Sequence, residues 1–262
     1  MGNKKMRNLN AMSVLVTGGG SGIGEAAARR LAAGGARVTI CGRRGEKVRA
    51  VAAEIGENCA WVQADVTNAA YRSALIARAV EHGGGLDALV SSAGNMERSP
   101  IGEWTEERLL QVFNDNVVAG MLLSQEALSH LEARHGAIVF IGSIYTVRSY
   151  PGAAPYAVTK GALETLVRVL AAELGSRGVR VGGIRPGAVL TEINQRAGLV
   201  TAEQAAARLE DMADHHVLRR IGTVDEIAEG IEYLIRAEWT TGEVLAVDGG
   251  MGLGVITQKL KT

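Results

Sequence analysis

A tyrosine and a lysine four residues apart, Tyr156 and Lys160, are the pair in this sequence best suited to proton transfer. If the segment is helical, the two side chains lie one turn apart on the same face. A phenol is a weak acid with a reference pKa of about 10, and a nearby ammonium group is expected to lower that value. The pair would then donate or accept the proton when an alcohol is made or broken.

Two polar residues earlier in the chain could assist this pair. Ser143 follows the apolar run 137–141, so we expect it at the carboxyl end of a strand, where open parallel sheets bind ligands. Its hydroxyl could stabilise a developing oxyanion. Asn116 lies in the apolar stretch 112–123, where it could be structural or could hold a water that links Lys160 to solvent. The tyrosine–lysine spacing alone also fits a solvent-exposed helix, so the surrounding elements decide.

The elements that would position these residues alternate along the chain. Apolar segments with the pattern of strands cover 12–16, 37–41, 59–63, 86–90, 137–141, 179–184 and 241–247. Helical patterns lie between them, which predicts a parallel sheet with helices on both faces. We therefore expect an α/β fold: a single doubly wound Rossmann-type domain over residues 1–262. It would have a seven-stranded, mostly parallel sheet, three helices on each face and a small substrate lid over 191–216.

The first predicted strand leads into a glycine-rich turn. The turn does not follow the G-x-G-x-x-G pattern, because Ile23 stands where that pattern needs its last glycine. Strand, glycine turn and helix in succession form the first half of a mononucleotide-binding unit, in which backbone N–H groups approach a pyrophosphate. We expect cofactor contacts from Thr17, Gly18, Gly20, Ser21, Gly22, Ile23 and Gly24.

The end of the second strand bears on the choice of cofactor. An acidic residue that binds the ribose 2′-hydroxyl of NAD would stand there, but the chain has Arg43 and Arg44 after Gly42. A guanidinium group binds a 2′-phosphate in a bidentate way, which favours NADP(H) over NAD(H). Arginines that face solvent at the start of a helix would give the same pattern. After the third strand, Asp65 could accept from an adenine amino group or cap a helix, with Val66 against the ring.

Composition excludes several function classes. Lys plus Arg and Asp plus Glu are both 28, so nothing favours nucleic acid or an anionic membrane as a partner. Cys41 and Cys59 lack the spacing of metal or redox sites, which favours a reducing compartment. The adjacent His215 and His216 would point in different directions on a helix and so would not bind one metal ion together. We expect no metal. Residues 1–10 lack the apolar segment of a secretory signal and no run of 18 uncharged apolar residues occurs, so we expect a cytoplasmic protein.

These motifs resemble those of the classical short-chain dehydrogenases/reductases, of the general 3-oxoacyl-carrier-protein reductase and glucose dehydrogenase type. The matching motifs are Thr17 to Gly24, Asp65-Val66, Ala93-Gly94, Asn116, Ser143, Tyr156-x-x-x-Lys160, Pro186-Gly187 and Thr191. The spacings agree as well: 27 residues separate Asn116 from Ser143, 13 more lead to Tyr156 and four to Lys160.

The resemblance implies an NADP(H)-dependent oxidoreductase that reduces a ketone or 3-oxoacyl-type carbonyl to a secondary alcohol by hydride transfer. Tyr156 would be the general acid/base, and Lys160 would lower its pKa and bind the nicotinamide ribose. Ser143 would orient the carbonyl, Asn116 would hold a proton-relay water and Thr191 would bind the carboxamide. Further cofactor contacts would come from Ser92, Ala93, Gly94, Pro186, Gly187 and Val189. The alternatives are an NAD-dependent alcohol dehydrogenase and a non-catalytic NADP-binding sensor.

The substrate site and the assembly are expected by the same resemblance. Apolar pocket walls suit a medium-sized small-molecule ketone or alcohol, with contacts from Met96, Ser143, Ile144, Tyr150 and Ile193. Arg98, Arg148 or Arg196 could meet a carboxylate or be ordinary surface charges. The family usually forms homotetramers, and a homodimer is the alternative. The chain departs from the family at Ser91-Ser92, where Asn-Asn is usual, and at Arg185, where Asn precedes Pro-Gly.

Overall fold

The computed structural model describes residues 6–10, 12–193, 201, 204 and 211–254. Its strands form one sheet in the order β3-β2-β1-β4-β5-β6-β7, and every neighbouring pair is parallel. The strands are β1 Ser13–Thr17, β2 Arg37–Gly42, β3 Cys59–Gln63, β4 Ala88–Ser91, β5 Ala137–Ile141, β6 Arg180–Pro186 and β7 Val244–Val247. The strand order reverses between β1 and β4, which is where open sheets of this kind bind ligands.

Helices cover both faces of the sheet. They are α1 Gly22–Ala33, α2 Gly45–Ile55, α3 Ala69–Gly83, α4 Glu106–Phe113, α5 Ala119–Ala133, α6 Ala154–Leu174 and α7 Val224–Arg236. Buried side chains of α1, α2 and α7 pack on one face, and those of α3, α5 and α6 pack on the other. The predicted doubly wound α/β fold with three helices on each face is confirmed, and the sheet is entirely parallel.

Two local features of the helices affect the cleft. A π-helical turn over Asn114–Val118 lies between α4 and α5. Helix α1 begins at Gly22, so the last glycines of the turn already belong to its first turn. Most of the predicted lid, over 191–216, lies outside the described residues, so the lid and the domain extent 1–262 stay predictions. None of the described helices has the length and apolar character needed to cross a membrane.

Candidate active site

The cleft is formed where β1 and β4 end side by side. Thr17 joins the two strand ends, because its hydroxyl oxygen accepts hydrogen bonds from the backbone N–H groups of Ser92 (3.0 Å) and Ala93 (2.9 Å). This contact holds together the strand ends at which Ser91-Ser92 replaces the family's usual Asn-Asn. Thr17 therefore supports the cleft from behind, and it is not among the residues that line it.

The glycine turn is shaped so that only glycine fits at its closest contacts. Gly18 has φ of 69°, and a Cβ there would come within 3.1 Å of the Ala93 backbone. A Cβ at Gly24 would lie 2.4 Å from the Gly18 carbonyl oxygen. The compact turn leaves its backbone along the floor of the cleft, at the start of α1, which is the arrangement that accepts a dinucleotide pyrophosphate. The residues present therefore fit a nicotinamide dinucleotide.

The predicted cofactor residues line two connected parts of this cleft. The β2 part, at the end of β2, is lined by Gly18, Gly20, Ser21, Arg43, Arg44, Asp65, Val66, Ala93 and Gly94. The tyrosine part, next to Tyr156, is lined by Gly22, Ile23, Gly24, Ser92, Lys160, Pro186, Gly187, Val189 and Thr191. Gly18, Ser21, Ala93 and Gly94 belong to both, so the two parts are continuous.

Asp65 makes local contacts that the sequence did not specify. Its Oδ1 accepts from the backbone N–H (3.0 Å) and the hydroxyl (2.8 Å) of Thr67. The alternative that Asp65 caps the next helix is wrong, because α3 is capped by the side chain of Asn68, which accepts from the Ala70 N–H. Asp65 instead forms a tight turn at the rim of the β2 part of the cleft.

Tyr156, Ser143 and Lys160 are brought together in the tyrosine part of the cleft. Helix α6 has Pro155 in its first turn, and it carries Tyr156 and Lys160 on the face that packs against the sheet. All three side chains belong to buried residues. The Lys160 ammonium nitrogen donates to the Ile141 carbonyl oxygen (2.8 Å) and lies 5.5 Å from the centroid of the Tyr156 ring.

Burial dominates the proton affinity of both side chains. It raises the pKa of Tyr156 well above its usual range, and the nearby Ser143 hydroxyl opposes this increase. Burial also lowers the pKa of Lys160 to about 8. The net shift of the Tyr156 pKa is therefore opposite to the expected lowering, and the contribution of Lys160 to this pKa stays a prediction. The physical reason is that desolvation of the buried phenol disfavours the phenolate.

Asn116 lies in the π-helical turn and its side chain is held by three hydrogen bonds. Its Nδ2 donates to the Asn95 carbonyl oxygen (2.9 Å) and to the Thr159 hydroxyl (3.0 Å), and its Oδ1 accepts from the Asn95 N–H (2.7 Å). Both amide donors are thus used, so the side chain can bind a relay water only through the second lone pair of Oδ1. The structural role anticipated from the sequence is present: Asn116 ties the π-helical turn to α6 and to the loop after β4.

The predicted substrate contacts are only partly brought together. Met96, Ser143, Ile144 and Ile193 line the tyrosine part of the cleft, whereas Tyr150 does not. The Tyr150 ring packs on Tyr145 at 4.6 Å between centroids, and Tyr145 in turn meets the edge of Tyr156 at 5.5 Å. Six lining residues were not predicted individually, and the last two of them lie within the predicted lid: Ile141, Gly142, Tyr145, Ala188, Glu192 and Met212. Tyr145 could have been found, since it lies two residues after Ser143.

Two of the arginines expected as alternative substrate contacts, Arg98 and Arg148, do not line the cleft. Arg98 donates to the Pro151 carbonyl oxygen (3.2 Å), Arg148 is half-buried, and Arg196 lies outside the described residues. The adjacent residues His215 and His216 do not form a shared site. His216 is buried, and its Nε2 accepts from the Ala188 N–H (3.2 Å). The described part of the chain contains no group of three His, Cys, Asp or Glu that could hold a metal ion.

Arg185 supports the Ser143 side of the cleft from below. Its guanidinium donates to both carboxylate oxygens of Glu164, at 2.9 and 2.7 Å, and to the Thr146 hydroxyl at 3.1 Å. The Thr146 hydroxyl also lies 2.7 Å from Glu164 Oε1 and 2.9 Å from the Ser143 carbonyl oxygen. The departure from the family at Arg185 thus introduces a largely buried ion pair between β6 and α6.

Comparison with known proteins agrees with this geometry. Residues 18–252 match a family model described as enoyl-(acyl carrier protein) reductase. The chain is 38% identical to an uncharacterized oxidoreductase of Methylorubrum extorquens over 94% of this chain and 100% of that protein. It is 35% identical to glucose 1-dehydrogenase of Gluconobacter oxydans over 92% of this chain and 91% of that protein.

A solved structure gives the same result. A short-chain dehydrogenase/reductase of unknown function from Caenorhabditis elegans, crystallised with cofactor, superposes with a TM-score of 0.88 at 25% identity, covering 95% of this chain and 98% of that one. The fold, the dinucleotide cleft and the matched residues point the same way. The chain belongs to the classical short-chain dehydrogenases/reductases, a family of nicotinamide-dependent oxidoreductases.

Proposed function

We propose that this protein is an NADP(H)-dependent oxidoreductase that reduces a ketone or a 3-oxoacyl-type carbonyl to a secondary alcohol. The observation that carries the proposal is the convergence of Tyr156, Ser143 and Lys160 on one cleft with the glycine turn. A bound nicotinamide would supply the hydride. The residues of the chain position the carbonyl and supply the proton.

Tyr156 is the general acid in this proposal. Because burial raises its pKa, the phenol is protonated at neutral pH, which is the form that can donate a proton to the new alcohol oxygen. Ser143 lies beside the phenol and donates a hydrogen bond to the carbonyl oxygen, where negative charge develops. Lys160 binds the nicotinamide ribose, and Asn116 holds the loop after β4 against α6.

The charge at the end of β2 supports NADP(H). Arg43 and Arg44 line the β2 part of the cleft together with Lys47, a cation that sequence reasoning overlooked. Gly42 stands where an acid would hold the 2′-hydroxyl of NAD(H). Guanidinium and ammonium groups there provide donors for a 2′-phosphate.

The substrate proposal follows from the walls of the tyrosine part. Met96, Ile144, Tyr145 and Ile193 give it a mostly apolar lining, which suits a medium-sized carbonyl compound. Among the described residues, the lining contains no pair of cationic side chains that could bind a substrate carboxylate. The name of the matching family model raises a second reaction, reduction of the carbon–carbon double bond of an enoyl thioester, and this belongs in the same test.

We further propose a homotetramer, with a homodimer as the smaller alternative, in the cytoplasm. Apolar side chains exposed on α5 and α6 and on the π-helical turn support self-association, since an isolated chain leaves them in water. They are Val118, Met121, Leu122, Val158 and Val169. Light scattering of the purified protein gives the mass, and a monomer at micromolar concentration would contradict this proposal.

A panel of carbonyl compounds, alcohols and enoyl thioesters, followed by nicotinamide absorbance, tests the reaction class. With NADPH we expect turnover of medium-sized ketones or 3-oxoacyl thioesters, and slower or no turnover with NADH. Turnover restricted to enoyl thioesters would replace carbonyl reduction by double-bond reduction. Tight NADPH binding without turnover of any compound would favour a cofactor-binding sensor, and a preference for NAD with alcohols would favour a dehydrogenase.

A further inference from the structure

A carboxylate bridges the two parts of the cofactor cleft at its β2 edge. Glu192, the residue after Thr191, accepts from Arg44 Nη1 at 2.8 Å and from Lys47 Nζ at 2.5 Å. Arg44 donates with its other terminal nitrogen to the Ser21 hydroxyl at 3.0 Å. Glu192 lines the tyrosine part of the cleft, whereas its two cationic partners line the β2 part.

The donors around this carboxylate form a built anion site. A guanidinium, an ammonium and the glycine-turn hydroxyl that orients the guanidinium converge where α2 begins, at Gly45. A bidentate guanidinium next to a point-charge ammonium is the donor set that a phosphate monoester prefers. The side chains of Arg44, Lys47 and Glu192 are each about one third exposed, at 36%, 38% and 35%. Water therefore screens the bridge, and an incoming dianion can displace it.

We propose that Glu192 determines cofactor specificity by occupying, in the cofactor-free protein, the position that the 2′-phosphate of NADP(H) takes on Arg44 and Lys47. NADP(H) must displace the carboxylate, whereas NAD(H), which has a hydroxyl there, leaves it in place. Glu192 thus weakens the binding of NADP(H) but not that of NAD(H). It thereby reduces the preference for NADP(H) that Arg44 and Lys47 create. The inference rests on the proposed binding of a nicotinamide dinucleotide in this cleft.

Calorimetric binding tests the proposal without any turnover. NADPH and NADH, and the fragments adenosine 2′,5′-bisphosphate and ADP, are titrated into wild type and Glu192→Gln. We expect Glu192→Gln to bind NADPH and the bisphosphate roughly three- to thirtyfold more tightly, the worth of two screened ion pairs. Affinity for NADH and ADP should stay within about twofold, because neither ligand displaces the carboxylate.

Glu46→Gln is the matched control. Glu46 is exposed on the first turn of α2, and Glu46→Gln changes the net charge by the same amount as Glu192→Gln. This control should not change the affinity for NADPH relative to the affinity for NADH. Equal tightening of NADPH and NADH by Glu192→Gln would overturn the proposal and place the carboxylate on a pyrophosphate site. Unchanged NADPH affinity would overturn it too. Failure of wild type to bind either dinucleotide would instead refute the proposed function on which the inference rests.

Discussion

The ion pair between Glu164 and Arg185 gives a prediction that is independent of any substrate. The Glu164 carboxylate accepts two hydrogen bonds from Arg185 and lies 2.7 Å from the Thr146 hydroxyl, and its side chain is only 9% exposed. Glu164→Gln would leave the Arg185 guanidinium without its bidentate charge partner. Breaking a buried pair costs roughly 3–5 kcal/mol, and the 20% exposure of Arg185 reduces this, so we expect a loss of about 2–4 kcal/mol.

Urea unfolding of the cofactor-free protein measures this loss. The surface pair Arg78–Glu81 is the control: its side chains are 42% and 73% exposed, and Glu81→Gln should cost less than about 0.5 kcal/mol. Combining Glu164→Leu with Arg185→Met should recover much of the stability, because apolar replacement of both partners is often close to neutral. The reasoning fails if Glu164→Gln costs no more than Glu81→Gln.

Two further predictions concern the turn and the lysine. Gly24→Ala should weaken dinucleotide binding roughly ten- to hundredfold, because its Cβ would lie 2.4 Å from the Gly18 carbonyl oxygen. The control is Gly161→Ala, because a Cβ at Gly161 on α6 would lie in open space; it should preserve binding and add roughly 0.5–1 kcal/mol of stability. Equal dinucleotide binding by Gly24→Ala and Gly161→Ala would contradict the turn geometry. Burial lowers the pKa of Lys160 from 10.5 to about 8. Between these two pH values, Lys160 is protonated in the unfolded state and largely neutral in the folded state. The contribution of Lys160 to the free energy of unfolding therefore rises with pH. In urea unfolding between pH 8 and 10, the stability of wild type relative to Lys160→Met should increase by up to about 1.4 kcal/mol per pH unit. If this stability difference instead falls as the pH rises, the sign of the argument is wrong.

The parts of the site that the sequence predicts are those set by local order. Strand, glycine turn and helix follow one another along the chain, so the turn at Gly18 to Gly24 could be placed without the structure. Parallel strands bring their carboxyl ends to one edge, which is why Ser143 and the first glycine turn meet. The helical spacing of Tyr156 and Lys160 placed both on one face.

The parts that the sequence does not predict depend on contacts between distant residues or on burial. Arg185 pairs with Glu164, 21 positions away, and Glu192 reaches Arg44 across 148 positions. Only packing decides that Tyr145, and not Tyr150, faces the cleft. The sequence predicted a lowered pKa for Tyr156, whereas burial raises it. A single sequence shows the neighbouring lysine but not how completely the phenol is desolvated.

The most direct test of the proposed role of Tyr156 compares wild type with Tyr156→Phe on the best carbonyl substrate, with NADPH affinity measured in parallel. Removing one hydroxyl should lower the turnover rate at least about a hundredfold, since general acid catalysis contributes roughly 10²–10⁴-fold, and NADPH affinity should stay within about threefold. A Tyr156→Phe variant that binds NADPH normally and keeps more than about a hundredth of the wild-type rate would show that Tyr156 is not the proton donor.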